Sequence, residues 1–258
     1  MRTVRNDDVT LSYRTWGAGP PLLLIHGGAG TGRDLALVRQ HLQDGFTVAV
    51  MDRRGRSGND ARRAHTIGDE ARDILAVIDD IGEPVHAFGH SYGAICLMEA
   101  AAAGAPLRSM TVYEPPVRGP ELADRLRGVA RLIEEGRAEE AMRSFLVRVG
   151  ATEEQLAVLR EIGEWERVVA GCGPFVGEVG ALTAWEPDLE RLGELTIPVV
   201  YLEGADTASD FYDRDRVMSW LPAHTRVVSM PGQTHTAIGF APALVADAIR
   251  LAAGPQPV

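Results

Sequence analysis

The pentapeptide Gly89-His90-Ser91-Tyr92-Gly93 sets one hydroxyl between two glycines, directly after the apolar run Val85 to Phe88 and before an alanine-rich stretch with helical spacing. A strand that turns into a helix this sharply accepts only small residues beside the serine. The turn holds that serine strained above the sheet, where its hydroxyl can meet an electrophile. A serine hydroxyl also needs a base to become a strong nucleophile. His235 follows the β-run Thr225 to Met230 in the segment Pro231-Gly232-Gln233-Thr234-His235, a loop of small residues from which an imidazole can reach a cleft. Near the N-terminus, Leu22-Leu23-Leu24-Ile25-His26-Gly27-Gly28 ends a buried strand in a glycine-rich turn. Backbone N–H groups in such a turn can face a developing negative oxygen. A dinucleotide-binding turn is the alternative there, but no window of HGGAGTGR reads G-x-G-x-x-G.

Composition removes other chemistries. All 26 basic residues are arginine. A chain without lysine forms no Schiff base through its side chains and cannot end a phosphate loop in GK[ST]. Cys96 and Cys172 are too few for a cysteine zinc site and read as buried reduced thiols. His86 and His90 have the i, i+4 spacing of helical zinc ligands, but Gly89 and the strand-to-turn pattern argue against a helix, so no metal is expected. The net charge of −10 disfavours nucleic acid and anionic membranes as partners. The run DRRGRSGNDARR from Asp52 onward reads as a solvated loop tied down by its own charges rather than a phosphate patch. No apolar stretch is long enough to span a membrane, and MRTVRNDDVT has no apolar signal core, so a cytoplasmic location is expected.

These residues need a scaffold, and 258 residues with 45% hydrophobic content suffice for one sizeable α/β domain. Strands are expected over Leu11 to Thr15, Pro21 to Ile25, Phe46 to Met51, Val85 to Phe88 and Ser109 to Tyr113. Helices are expected over Asp34 to Leu42, Thr66 to Ile81 and Tyr92 to Ala103. From Val117 to Leu195 the strand pattern stops and apolar residues recur at helical spacing, as in Leu122, Leu126, Val129, Leu132 and Ile133. Alternation resumes with a strand at Ile197 to Leu202, a helix over Phe211 to Leu221, a strand at Thr225 to Met230 and a helix over Ala241 to Ala252. This pattern implies one core domain, 1–116 with 196–258, interrupted by a helical cap, 117–195. In that cap Met142, Trp165 and Phe175 are candidates to line an apolar substrate pocket.

In the HGG turn, the Asp52-Arg53-Arg54-Gly55-Arg56-Ser57-Gly58 segment, the GHSYG elbow, the helical cap and the late histidine, the sequence resembles the α/β-hydrolase superfamily over almost its whole length. The resemblance implies a mostly parallel sheet flanked by helices. It also implies Ser91 as nucleophile, His235 as general base, and the N–H groups of Gly28 and Tyr92 as oxyanion donors. The superfamily often places its acid three residues after a glycine beyond the strand that follows the cap. Here Gly204-Ala205-Asp206-Thr207 puts threonine at that offset. Asp206 is the expected acid, with Asp210 weaker and Glu114, at the end of the strand before the cap, the rival. The activity implied is cofactor-independent hydrolysis of an ester, thioester or lactone of a small, mostly apolar molecule. C–C bond hydrolysis, acyl transfer, perhydrolysis and catalytically weak ligand binding remain as alternatives on one scaffold.

Overall fold

In the central strands, successive side chains enter two different apolar layers, as the period of two of a β-strand requires. Leu23 and Ile25 join one buried cluster, while Leu22 and Leu24 join the other. The computed structural model describes residues 1–7, 9–59, 65–116, 120–207 and 212–254. Its eight strands are β1 (Arg2–Asn6), β2 (Val9–Trp16), β3 (Pro21–Ile25), β4 (Thr47–Asp52), β5 (Val85–His90), β6 (Leu107–Tyr113), β7 (Val199–Gly204) and β8 (Arg226–Met230). They form one sheet in the order β1-β2-β4-β3-β5-β6-β7-β8. Pairings from β4 to β8 are parallel, and those of β1 with β2 and β2 with β4 are antiparallel.

A short 3-10 turn, Gly32–Leu35, leads into α1 (Ala36–Leu42), followed by α2 (Ile67–Ile81) and α3 (Tyr92–Ala102). Between β6 and β7 the described residues hold α4 (Pro120–Glu134), α5 (Ala138–Arg148), α6 (Glu153–Glu161), α7 (Glu164–Ala170), α8 (Phe175–Ala184) and α9 (Leu189–Gly193), and no strand. The chain ends in α10 (Arg214–Met218), α11 (Ala237–Phe240) and α12 (Pro242–Ala253). Helices α2 and α3 cover one face of the sheet, and α1 and α12 cover the other. The α2 and α3 core continues without a break into the insertion, through Leu126, Met142, Phe175 and Leu182. None of the described helices is long and apolar enough to cross a membrane.

One element was not expected and one is shorter than expected. Strand β1 carries mostly exposed and half-buried residues, so it offered no apolar alternation to read. The helix expected over Phe211 to Leu221 is only the five-residue α10, capped by the Asp213 side chain on Arg216 N–H. Both cysteines are buried free thiols.

Candidate active site

Ser91 stands between β5 and α3 with φ 54° and ψ −121°, a backbone state that side chains larger than hydrogen rarely adopt. Its N–H donates to Tyr113 O at 2.8 Å, which anchors the turn to the next strand. The flanking glycines are demanded by close approach. A Cβ on Gly89 would lie 2.6 Å from Ala94 Cα, and one on Gly93 would lie 2.4 Å from His26 O. The sharp turn therefore depends on both glycines, while His90 and Tyr92 point elsewhere. His90 Nε2 meets His235 O at 3.1 Å, and the Tyr92 ring lies 4.6 Å below the Arg53 guanidinium.

His235 is 4% exposed, and its Nδ1 pairs with Glu114 Oε2 at 2.7 Å. The carboxylate can only accept, so Nδ1 carries the proton and Nε2 keeps its lone pair for another group. Glu114 directly follows β6 and sits at φ 43°. Its other oxygen accepts the Gly204 N–H at 2.8 Å. Burial pushes the Glu114 carboxyl up, while the Gly204 N–H and the nearby Thr207 hydroxyl pull it down. Burial alone pushes the His235 imidazole down. The loop that presents His235 is pinned at its carbonyls, because Tyr113 Oη donates to Thr234 O at 2.5 Å and His90 holds His235 O.

The expected pairing of Asp206 with His235 is not what the structure places. The Asp206 N–H donates to Gln233 O at 3.0 Å, and the residue faces solvent at the turn after β7. The physical reason lies in Thr207, which takes the offset where the resemblance expects an acid. Its side chain abuts Gly204 beside the Glu114 carboxyl, so the space facing the imidazole is filled from β6. Asp210 lies outside the described residues.

The Gly28 and Tyr92 N–H groups have no backbone acceptor among the described residues. Both residues line, together with Ser91, a small pocket of about 30 Å³ that Phe175, Glu178 and Tyr212 help to close. Ser91 and His235 also share a larger cleft of about 380 Å³, walled by Met142, Phe145, Leu146 and Val149 of the insertion and by Ile238 and Phe240. Met142 lines the larger cleft and Phe175 the small pocket, each together with Ser91. Trp165 lines neither: it packs inside the insertion, its Nε1 on Glu139 and Arg160 over its ring.

Three features escaped the sequence. Tyr212 stacks on His235, with centroids 4.5 Å apart and planes 25° from parallel, and lines the small pocket together with Ser91. Arg53 and Arg56 are not part of a solvated loop: they are 1% and 2% exposed. Glu178 from α8 accepts Arg53 Nη2 and Arg56 Nη2, each at 2.5 Å. Burial opposes a charge on Glu178, but the two guanidiniums override it and hold the carboxyl at about 2. The one signal for it is a lone acid within the otherwise apolar stretch Phe175–Ala184.

The sequence matches the model of the Alpha/beta hydrolase family over residues 22–248. An uncharacterised hydrolase of Bacillus subtilis is 34% identical over 99 residues, which cover 36% of this chain and 36% of that protein. N-formylmaleamate deformylase of Pseudomonas putida is 34% identical over 111 residues, covering 42% of this chain and 41% of that protein. The matched stretch thus spans about two fifths of these curated relatives' lengths. The crystal structure of an alpha/beta hydrolase from Sphaerobacter thermophilus superposes with a TM-score of 0.78 at 26% identity, over 96% of this chain and 99% of that one.

Proposed function

The chain belongs to the alpha/beta hydrolase family, and from that premise we propose that it is a serine hydrolase using Ser91, His235 and Glu114 on an ester, thioester or lactone of a small, mostly apolar molecule. The observation that carries this reading is the buried 2.7 Å contact between His235 Nδ1 and Glu114, beside a serine held at positive φ in the same cleft. In this mechanism His235 Nε2 takes the Ser91 proton as Oγ attacks the carbonyl carbon. Glu114 orients the ring and stabilises the imidazolium that forms. The Gly28 and Tyr92 N–H groups hold the tetrahedral oxyanion. The imidazolium then protonates the leaving group, and water activated by the same histidine hydrolyses the acyl-enzyme.

The helical insertion between β6 and β7 acts as a cap, because α5 and α8 supply the apolar walls over the serine. Those walls support a mostly apolar substrate. Amide C–N cleavage is the second reading, favoured by the likeness to N-formylmaleamate deformylase. A fluorophosphonate probe and p-nitrophenyl acyl esters test the proposal. Ser91 is expected to be labelled rapidly, and Ser91→Ala to lose turnover by orders of magnitude with the fold intact. Near-wild-type turnover in purified Ser91→Ala would remove the serine mechanism.

A further inference from the structure

Gly27 O and Gly28 N–H belong to one planar peptide unit, so whatever fixes that carbonyl also fixes the direction of the N–H. Gly27 O accepts from Arg53 Nη2 at 3.0 Å and from His26 Nδ1 at 2.9 Å. His26 is set as the donor because its Nε2 accepts the Arg53 N–H at 3.2 Å. The adjoining peptide is held from the other side, where Ala29 N–H donates to Glu178 Oε2 at 3.0 Å. Ala29 has φ 57°, a conformation uncommon in non-glycine residues. Both anchors meet each other, since Arg53 Nη2 also bonds Glu178 Oε1 at 2.5 Å. A cation on the Gly27 carbonyl further polarises the peptide and strengthens its N–H as a donor.

We infer that the Arg53–Glu178 ion pair is a positioning device for the Gly28 N–H, and that it makes the oxyanion donor depend on the seating of helix α8. The inference rests on the serine-hydrolase reading, in which that N–H meets the oxyanion. Glu178 is the only member of the pair that the insertion supplies; Arg53 comes from the loop after β4. An apolar contact of equal size would hold α8 down at lower desolvation cost, but it would not dictate the direction of two successive peptides. When α8 lifts, Ala29 loses its acceptor and Arg53 loses one of its two carboxylates, so the turn is free to relax. Competent geometry and a closed cleft then coincide.

The test compares Glu178→Gln, the double variant Arg56→Gln/Glu178→Gln, and Ser91→Ala on p-nitrophenyl acetate. The double variant keeps buried charge balanced, because Arg53 Nη1 still pairs with Glu70 Oε1 at 2.9 Å; it is the variant expected to fold if the single change does not. In the folded variants, kcat per phosphonate-titrated site should fall on the order of 10²–10³, the scale of one lost oxyanion donor, with KM little changed. Affinity for a trifluoromethyl ketone, whose Ser91 adduct carries an oxyanion, should fall in step with kcat/KM, whereas binding of the product acid should not. A role in stability alone would lower Tm and leave kcat per titrated site untouched, which would overturn the inference. An inactive Ser91→Ala beside an unimpaired double variant rejects the positioning role alone. An active Ser91→Ala rejects the serine reading and this inference together.

Discussion

The two sides of Ser91 are held by different kinds of groups. The turn after β3 is held by charged groups: the Arg53 guanidinium, pushed up by its buried carboxylate partners, and Glu178, whose carboxyl the Arg53 and Arg56 guanidiniums hold at about 2. On the other side stand Glu114, pushed up by burial, and His235, pushed down by burial, with Tyr113, His90 and Tyr212 packed around them. In the proposed mechanism the difference follows from the work of each side. Donors that meet an oxyanion must keep one orientation and a constant field through the reaction. A base must change its charge within every turnover, so its neighbours must tolerate both protonation states.

The sharpest way to break this comparison is to replace the acid. Glu114→Gln should lower kcat on p-nitrophenyl acetate by about 10⁴, while Asp206→Asn stays near wild type, with folding checked by circular dichroism. A large loss in Asp206→Asn together with a mild one in Glu114→Gln would return the acid to the loop after β7.

A pH profile tests the proton-handling side as one unit. In the proposed mechanism the active form holds neutral His235 and ionised Glu114, so kcat/KM should fall about tenfold per pH unit below the apparent pKa of the pair. Because burial raises the Glu114 carboxyl, that limb should lie above the ordinary carboxylate range. The residual activity of Glu114→Gln should be flat across it, since its histidine, pushed down by burial, titrates lower.

The oxyanion side should respond to acid through stability instead. Glu178 is depressed from 4.5 to about 2, so the stability it contributes is full above 4.5 and is lost as the pH falls through about 2. Arg56→Gln/Glu178→Gln should show a smaller loss of Tm across that window than wild type. An equal loss in both would assign acid sensitivity to other groups.

Smaller effects separate the wall of the cleft from the interior of the insertion. Met142→Ala should change the kcat/KM ratio of long to short acyl esters by roughly tenfold. Trp165→Ala should lower stability by about 3–5 kcal/mol and leave the ranking of esters unchanged, because its ring packs within the insertion. A reordered ranking in Trp165→Ala would put that ring at the substrate.

Features that depend on neighbours along the chain can be read from residue order alone. The elbow was legible because Gly89 and Gly93 are required by contacts made within a few residues of Ser91 or with the adjoining strand. The parallel sheet and the helical interruption followed from periodicity, because a strand buried on both faces and an amphipathic helix each leave their own apolar pattern. Which carboxylate meets His235 is settled by the folded arrangement of distant segments. Glu114 and His235 are 121 positions apart, and their contact depends on where β6 ends relative to the loop after β8. A shift of one residue there would aim the carboxylate elsewhere, and no local pattern records it. The same holds for Glu178 and Arg53, 125 positions apart. A buried charge is stable only beside its partner, and sequence supplies the two residues without the distance between them.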